Sequence, residues 1–335
     1  MVISVPKCVG RRSIAGCAGA LLMTAASLCM AAATWSPEKN VEIIVTTGPS
    51  GAQDRTARNM QNIIQQRKLI GVPITVMNKP GAGGGLGLLY LNQHAKDGHY
   101  LITTSPTLLA NHIVGISQVT YTDVTPLAQL FSEYVGFAVR AESPIKTARD
   151  LVERIRKNPG SFSAAISTSA GNHNHIAIGM VLKASGIDLK ALKVVIFKAS
   201  GESITATLGG HVDFIVSTAS NLMQQVGEGK IRVLAIAAPN RLGGALANAP
   251  TWREFGINAI GNNWRGVAGP RGMTPSQVDY WQGLFNTLVA TDDWRTDIEN
   301  NLWIGNFMNA ADSATAYKQQ YAELKEILSG LGLAK

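Results

Sequence analysis

The sequence predicts an α/β protein with two lobes. Short runs rich in valine and isoleucine alternate along the chain with stretches of helical periodicity, a pattern typical of sheets flanked by helices. The chain has 335 residues. Roughly 300 of them follow a candidate leader segment, which is more than one typical α/β domain holds.

The elements follow in order from this periodicity. The strands are predicted at 41–45, 74–77, 100–104, 194–197, 214–216 and 233–237. The helices are predicted at 55–67, 86–95, 150–157, 176–184 and 202–208. Near the C-terminus Tyr317, Tyr321, Leu324 and Leu328 fall on one helical face, so residues 313–328 are predicted to dock against the protein.

Two connections between the lobes are predicted. The first lies near 135–140, an apolar run bounded by Glu133 and Glu142, and the second is a return near 265–269. This division assigns 34–135 and 263–335 to lobe 1, and 136–262 to lobe 2.

The N-terminal 33 residues have the layout of a secretory signal peptide. Lys7, Arg11 and Arg12 occur without an acidic residue, an apolar run covers 14–30, and small residues end at Ala33. The apolar run is too short and too interrupted to span a membrane. We therefore expect cleavage after Ala33 and a periplasmic location.

Two other interpretations of this segment stay open. The residues ending at Cys17 resemble a lipoprotein cleavage box, and the Arg11–Arg12 pair is compatible with twin-arginine export. Every cysteine of the chain lies before residue 34, so the mature chain contains no disulfide.

The charge of the mature chain is modest. The whole chain has 30 basic and 22 acidic residues; without the three basic residues of the leader, 27 face 22, a net charge of +5. The basic residues are scattered and not interleaved with aromatic ones, which argues against nucleic acid as a partner.

The first candidate binding loop, residues 46–54, joins a predicted strand to a predicted helix. Small residues let the backbone approach a ligand, and the N–H groups that open a helix favour an anion. The alternative is a tight turn in which Asp54 is the helix N-cap. The candidate ligand contacts in this loop are Thr47, Gly48, Ser50, Gly51, Ala52, Gln53 and Asp54.

The glycine-rich segment 79–87 is interpreted as a structural turn. It has neither the spacing of a dinucleotide-binding motif nor the ending of a phosphate-binding loop. No nucleotide cofactor is therefore predicted.

The second candidate binding loop, residues 167–175, is dense in hydroxyl and amide side chains that suit an anion. Its two histidines are too few for a zinc site, so no metal is predicted. Asn174 either lies near the ligand or caps the helix. The candidate contacts are Ser169, Ala170, Gly171, Asn172, His173 and Asn174.

Further candidates complete the predicted binding site, and catalysis is not expected. The chain has no G-x-S-x-G motif, and its serines lack a convincing histidine and aspartate partner. The remaining predicted ligand contacts are Ser105, Thr107, Ser200, Gly201, Ser217 and Arg265.

With these loops in view, the mature chain resembles the substrate-binding receptors of the tripartite tricarboxylate transporter family. Six ordered segments carry the resemblance over nearly the whole mature chain, and together they are specific. They are Gly48–Asp54, Val76–Gly84, Ser169–His175, Ala199–Glu202, Gly209–Asp213 and Asn263–Val267.

The resemblance implies a periplasmic-binding-protein (Venus-flytrap) fold of two α/β lobes joined by two crossover strands. It also implies a monomer that needs no cofactor and that delivers a small carboxylate to a large and a small integral membrane subunit. The carboxylates would be held by backbone N–H groups, hydroxyls and water.

The departures from the family pattern concern specificity. Ser50, Ala52 and Ala199 stand where the family often has glycine, and Asn174 stands where it often has aspartate. A di- or tricarboxylate is implied, and an aromatic dicarboxylate suits the narrowed, less acidic pocket. The alternatives are a receptor that presents its ligand to a sensor kinase, and an α/β enzyme.

Overall fold

A computed structural model describes residues 35–49, 52–158, 160–167 and 169–335. The predicted signal peptide and the candidate contacts Ser50 and Gly51 lie outside the described residues. None of the helices within the described ranges is both long and apolar enough to cross a membrane.

The described residues form two mixed β-sheets. In chain order the strands are β1 (Val41–Val45), β2 (Ile74–Asn78), β3 (Tyr100–Thr104), β4 (Val124–Glu133), β5 (Val135–Arg140), β6 (Ser163–Ser167), β7 (Lys193–Phe197), β8 (Phe214–Thr218), β9 (Ile231–Ile236), β10 (Asn263–Pro270) and β11 (Ile304–Met308). The first sheet has the order β11-β4-β10-β3-β1-β2, and the second has the order β7-β6-β8-β5-β9.

Helices cover both sheets. They are α1 (Ala52–Gln66), α2 (Gly85–Gln93), α3 (Thr107–Ile113), α4 (Ala148–Lys157), α5 (His173–Ala184), α6 (Ser200–Leu208), α7 (Ala219–Gly227), α8 (Pro275–Val289), α9 (Asp292–Asn300) and α10 (Ala310–Gly330). Strand β1 runs parallel to β2 and β3, and β6 runs parallel to β7 and β8, as expected for strands connected by helices.

The chain crosses between the sheets twice. It leaves the first sheet after Glu133 and enters the second at Val135, and it returns between Ile236 and Asn263. The run 135–140 is thus strand β5 of the second sheet, and 265–269 lies within β10 of the first. The assignment of 34–135 with 263–335 and of 136–262 to separate lobes stays a prediction.

The C-terminal helix α10 packs against helices from both sheets. The prediction that residues 313–328 form a docking helix is confirmed, because Tyr317, Leu324 and Leu328 are fully buried. Helix α10 packs on β4 and α3 and also on α5, where Glu326 forms an ion pair with Lys183.

Most predicted elements are confirmed, but several boundaries were wrong. Helix α1 begins at Ala52 and not at 55, and α5 begins at His173 and not at 176. In both cases residues assigned to a loop, 52–54 and 173–175, form the first helical turn. Strands β4, β6 and β11 and helices α3, α7, α8 and α9 were not predicted.

Candidate ligand-binding site

Polar side chains gather at the carboxyl ends of the parallel strands in both sheets. In the first sheet β1 and β3 end at Val45 and Thr104, and helices α1 and α3 follow. In the second sheet β6 and β8 end at Ser167 and Thr218, and helices α5 and α7 follow. These edges are where open α/β sheets bind ligands.

Gln53 organises the edge of the first sheet. Its Oε1 accepts hydrogen bonds from Thr46 Oγ1 (2.9 Å) and Thr103 Oγ1 (3.2 Å), while its Nε2 donates to Ser105 Oγ (2.9 Å). Ser105 is in turn 2.7 Å from the hydroxyl of Thr107. Because Gln53 is buried and spans two strands, it fixes the positions of the predicted contacts Ser105 and Thr107.

Asp54 anchors the start of α1. Its carboxylate accepts from Arg58 Nε (3.0 Å) and from Asn78 Nδ2 (2.8 Å), and Asn78 Nδ2 also donates to the carbonyl of Thr47. The interpretation of Asp54 as the N-cap was wrong, because α1 begins two residues earlier, at Ala52. Asp54 lies in the first helical turn, where its charge favours the helix.

The loop before α1 combines a buried hydroxyl with open space beside Gly48. Thr47 Oγ1 is buried without a hydrogen-bond partner among the described residues. A side chain built on Gly48 would meet no atom within 4 Å. Ala52 is half-buried at the first position of α1.

A cluster of hydroxyls forms the corresponding edge of the second sheet. Ser200 Oγ lies 3.1 Å from Ser167 Oγ and accepts from Asn221 Nδ2 at 3.1 Å. The same amide donates to Ser217 Oγ at 3.4 Å. Asn221 therefore brings together Ser200 and Ser217, two of the residues predicted to contact the ligand. Gly201 is exposed in the first turn of α6. The role of Asn221 was not predicted.

The second candidate loop is held by Asn172 at its C-terminal end. Asn172 is the N-cap of α5: its Oδ1 accepts from the N–H of His175 (3.0 Å), and its Nδ2 donates to the carbonyl of Ser167 (2.5 Å). Gly171 has a φ of 74°, a conformation that favours glycine. Ser169 and Ala170 before it are exposed.

Asn174 does not cap the helix. It is the second residue of α5, is only 2 % exposed, and its Oδ1 has no hydrogen-bond partner among the described residues. The capping alternative for Asn174 was therefore wrong, since Asn172 fills that role. A buried amide oxygen without a partner suits contact with an ordered water or with another hydrogen-bond donor.

Arg265 lies in a buried ionic cluster at the two crossovers. Glu133 Oε2 accepts from Arg265 Nη2 and from Asn263 Nδ2, both at 3.2 Å. Its Oε1 accepts from Ser220 Oγ of α7 at 2.9 Å. Arg265 Nη1 also donates to Asn263 Oδ1 at 2.8 Å. The guanidinium predicted as a ligand contact is thus neutralised within the protein, and Glu133 was not among the predicted residues.

His173 lies close enough to this cluster for Glu133 and Arg265 to influence the pKa of its imidazole ring. Burial lowers the pKa of His173 to about 4; the negative charge of Glu133 opposes this shift and the positive charge of Arg265 adds to it. His173 Nε2 is buried without a partner among the described side chains. The ring is therefore neutral at pH 7 and adds no cation to the site.

Lowering the pH should destabilise the protein through His173. Because the folded-state pKa, about 4, is below the unfolded value of 6.5, the unfolded chain binds the extra proton. Stability from this group is full above pH 6.5 and is lost as the pH falls towards 4, by about 3 kcal/mol at most. Melting curves between these pH values should show a steeper decline for wild type than for His173→Gln. The exposed His211→Gln is the control, and equal slopes for wild type and His173→Gln would contradict the assignment.

The family of the chain follows from comparison with known proteins. Residues 56–333 match the model of the tripartite tricarboxylate transporter family receptor, TctC. The chain belongs to this family. The predicted resemblance is confirmed.

Relatives and solved structures agree with this assignment. A Cupriavidus necator protein, described as the UPF0065 protein in the gbd 5' region, is 26% identical over 98% of both chains. A TctC solute-binding protein from Polaromonas, solved without ligand, superposes with a TM-score of 0.75 at 21% identity, covering 88% of this chain and 99% of the other. The R. palustris protein Rpa4515, solved with adipate, superposes with a TM-score of 0.74 at 20% identity, covering 89% and 99%.

These comparisons decide the fold and the class of activity. The predicted fold of two α/β lobes joined by two crossover strands is confirmed by the likeness to a solute-binding protein. The TctC receptor is a binding protein and not an enzyme, as predicted. Within the described ranges, no three histidine, cysteine, aspartate or glutamate side chains gather as metal ligands.

Proposed function

We propose that this TctC receptor captures a small dicarboxylate between the polar edges of its two sheets. The observation that carries the proposal is the ion pair between Arg265 and Glu133. Arg265 is the one permanent cation among the candidate contacts, and Glu133 already neutralises its charge. A bound carboxylate must then be held by hydroxyls, amides and backbone N–H groups. The N-termini of α1, α5 and α6 and the hydroxyls of Ser105, Thr107 and Ser200 supply such donors.

Two carboxylates match two edges of similar chemistry. Each sheet contributes its own hydroxyl cluster, so each could receive one end of the ligand. The adipate bound by Rpa4515 is a linear dicarboxylate, which supports this ligand class for a receptor of the same fold. Ala52 and Ala199 narrow the site relative to glycine, which favours a slim dicarboxylate over a branched tricarboxylate.

A screen of carboxylates tests the ligand class. The set is butyrate, succinate, adipate, terephthalate and citrate, each added to the purified protein at fixed pH and ionic strength. Ligand at 100 times its Kd stabilises the folded state by about 2.7 kcal/mol, so one dicarboxylate should raise the melting temperature by several degrees. Butyrate, which keeps one carboxylate, is the matched control. A rise with citrate alone, or with none of the five, would contradict the proposal.

We also propose that the chain is exported and delivers its ligand to a large and a small integral membrane subunit. The layout of residues 1–33 supports export, and the family description names a transporter receptor. Mass spectrometry of the protein from the periplasmic fraction should give an N-terminus at Thr34. A diacylglyceryl group on Cys17 would show that the lipoprotein interpretation is the correct one.

A further inference from the structure

A second cavity lies between helices α5 and α10, away from the proposed dicarboxylate site. Its volume is about 580 Å³, and none of the predicted carboxylate contacts lines it. Strands β4 and β10 form its floor through Gln129 and Trp264, α5 contributes Met180, and the segment that returns from the second sheet contributes Asn262. The cavity is of the size that small-molecule sites usually have.

Two amide side chains in this cavity lack partners. Gln129 is only 1 % exposed, and its Nε2 makes no hydrogen bond within the described part of the chain. Asn262 Oδ1 is likewise buried without a partner there. A buried donor and a buried acceptor left unpaired cost folding free energy, so their presence beside a cavity indicates a ligand that pairs with both.

The rest of the floor is apolar and rigid. Trp264 is 1 % exposed and stacks on Tyr317, with ring centroids 4.6 Å apart. Its Nε1 donates to Gln320 Oε1 at 2.5 Å, which fixes the orientation of the indole. Met180 and Ile327 extend this apolar surface. A ligand here needs an apolar body in contact with the partly buried side chains of Met180 and Ile260, which lie over this rigid floor.

The charges around the cavity disfavour a second carboxylate. Lys183 forms an ion pair with Glu326, and Glu323 adds a further negative charge. The lining therefore has one basic and two acidic residues, a net charge of −1. This sign is opposite to what an anion requires.

We propose that this cavity is a second binding site, specific for an uncharged small molecule with an apolar body and an amide group. The amide oxygen accepts from Gln129 Nε2, the amide N–H donates to Asn262 Oδ1, and the apolar body contacts Met180 and Ile260. The site draws on elements that pack against both sheets and shares no lining residue with the predicted carboxylate contacts.

Calorimetric titration with benzamide, and with benzoate as its anionic counterpart, tests the proposal. Benzamide should bind at millimolar concentration or better, and benzoate at least about tenfold more weakly. Absence of binding by benzamide and by the aliphatic hexanamide up to about 10 mM would overturn the proposal.

Two variants then locate the binding. Gln129→Leu keeps the size of the side chain and removes the unpaired donor, so it should weaken benzamide binding about tenfold. Ala316→Phe, on the half-exposed side of α10, should block the cavity without altering the core. Both variants should leave adipate binding as it is in wild type, and unchanged benzamide affinity in Ala316→Phe would place the ligand elsewhere and overturn the site. Because Ala316 is outside the buried core, this readout does not depend on whether Gln129→Leu folds.

Discussion

Replacing Glu133 by alanine is expected to lower the free energy of unfolding by about 3–5 kcal/mol. Glu133 and Arg265 are 5 % and 7 % exposed, and their ion pair joins the last residue of β4 to strand β10. Removing the carboxylate leaves a buried guanidinium without its counter-charge. It also removes the acceptor used by Ser220, which belongs to the second sheet's helix α7.

Urea unfolding followed by circular dichroism measures this loss. The control is Glu142→Ala, because Glu142 is exposed and its removal should change stability by no more than about 0.5 kcal/mol. In the double variant Glu133→Leu with Arg265→Met both charges are gone, so much of the lost stability should return. A loss below about 1 kcal/mol for Glu133→Ala would show that water or another group compensates Arg265.

The sequence predicted the buried parallel strands β1 and β3 well, although the buried parallel strand β6 was missed. The runs at 41–45 and 100–104 coincide with β1 and β3, because a strand covered on both faces is apolar at nearly every position. Strand β4 was not predicted, because its buried positions include the polar residues Gln129, Ser132 and Glu133. Buried polar residues therefore interrupt the hydrophobic pattern that would have identified this strand.

Helix α8 was missed although the sequence contains a local signal for it. Thr274 and Gln277 form a capping box, and Pro275 occupies the first helical position.

The starts of α1 and α5 were predicted too late, because the residues that open these helices resemble loop residues. Their first turns contain Asp54 and Asn174, residue types that are frequent in loops and that also occur at helix starts.

For the candidate site, the loops could be predicted but the supporting contacts could not. Gln53 and Ser200 were found because they lie beside strand ends in glycine- and serine-rich segments. The partner of Arg265 is 132 positions away in the chain, and no local pattern marks such a pair. Asn221 could have been suspected only from its position four residues after Ser217 at the start of a helix.

Asn174→Asp is expected to weaken adipate binding at least tenfold at neutral pH, if adipate proves to be a ligand in the screen. Asn174 is buried in the first turn of α5, and its Oδ1 has no partner among the described residues. A negative charge there, about 6 Å from a bound carboxylate, would repel it by about 3 kcal/mol at an effective dielectric constant of about 20, before screening. If about 1.4 kcal/mol of this repulsion is expressed in the binding free energy, the affinity for adipate falls tenfold.

Calorimetric titration at fixed salt separates this charge effect from a change of shape. Asn300→Asp, on the exposed side of α9, adds the same charge to the surface and should bind adipate as wild type does. The loss in Asn174→Asp should be smaller at about pH 5 than at about pH 8, because burial raises the pKa of a carboxyl group and protonation removes the repulsion. Melting curves without ligand show whether the variant is folded. Affinity within twofold of wild type at pH 8, in a folded variant, would place Asn174 away from the ligand and direct the search for specificity to Ser50, Ala52 and His173.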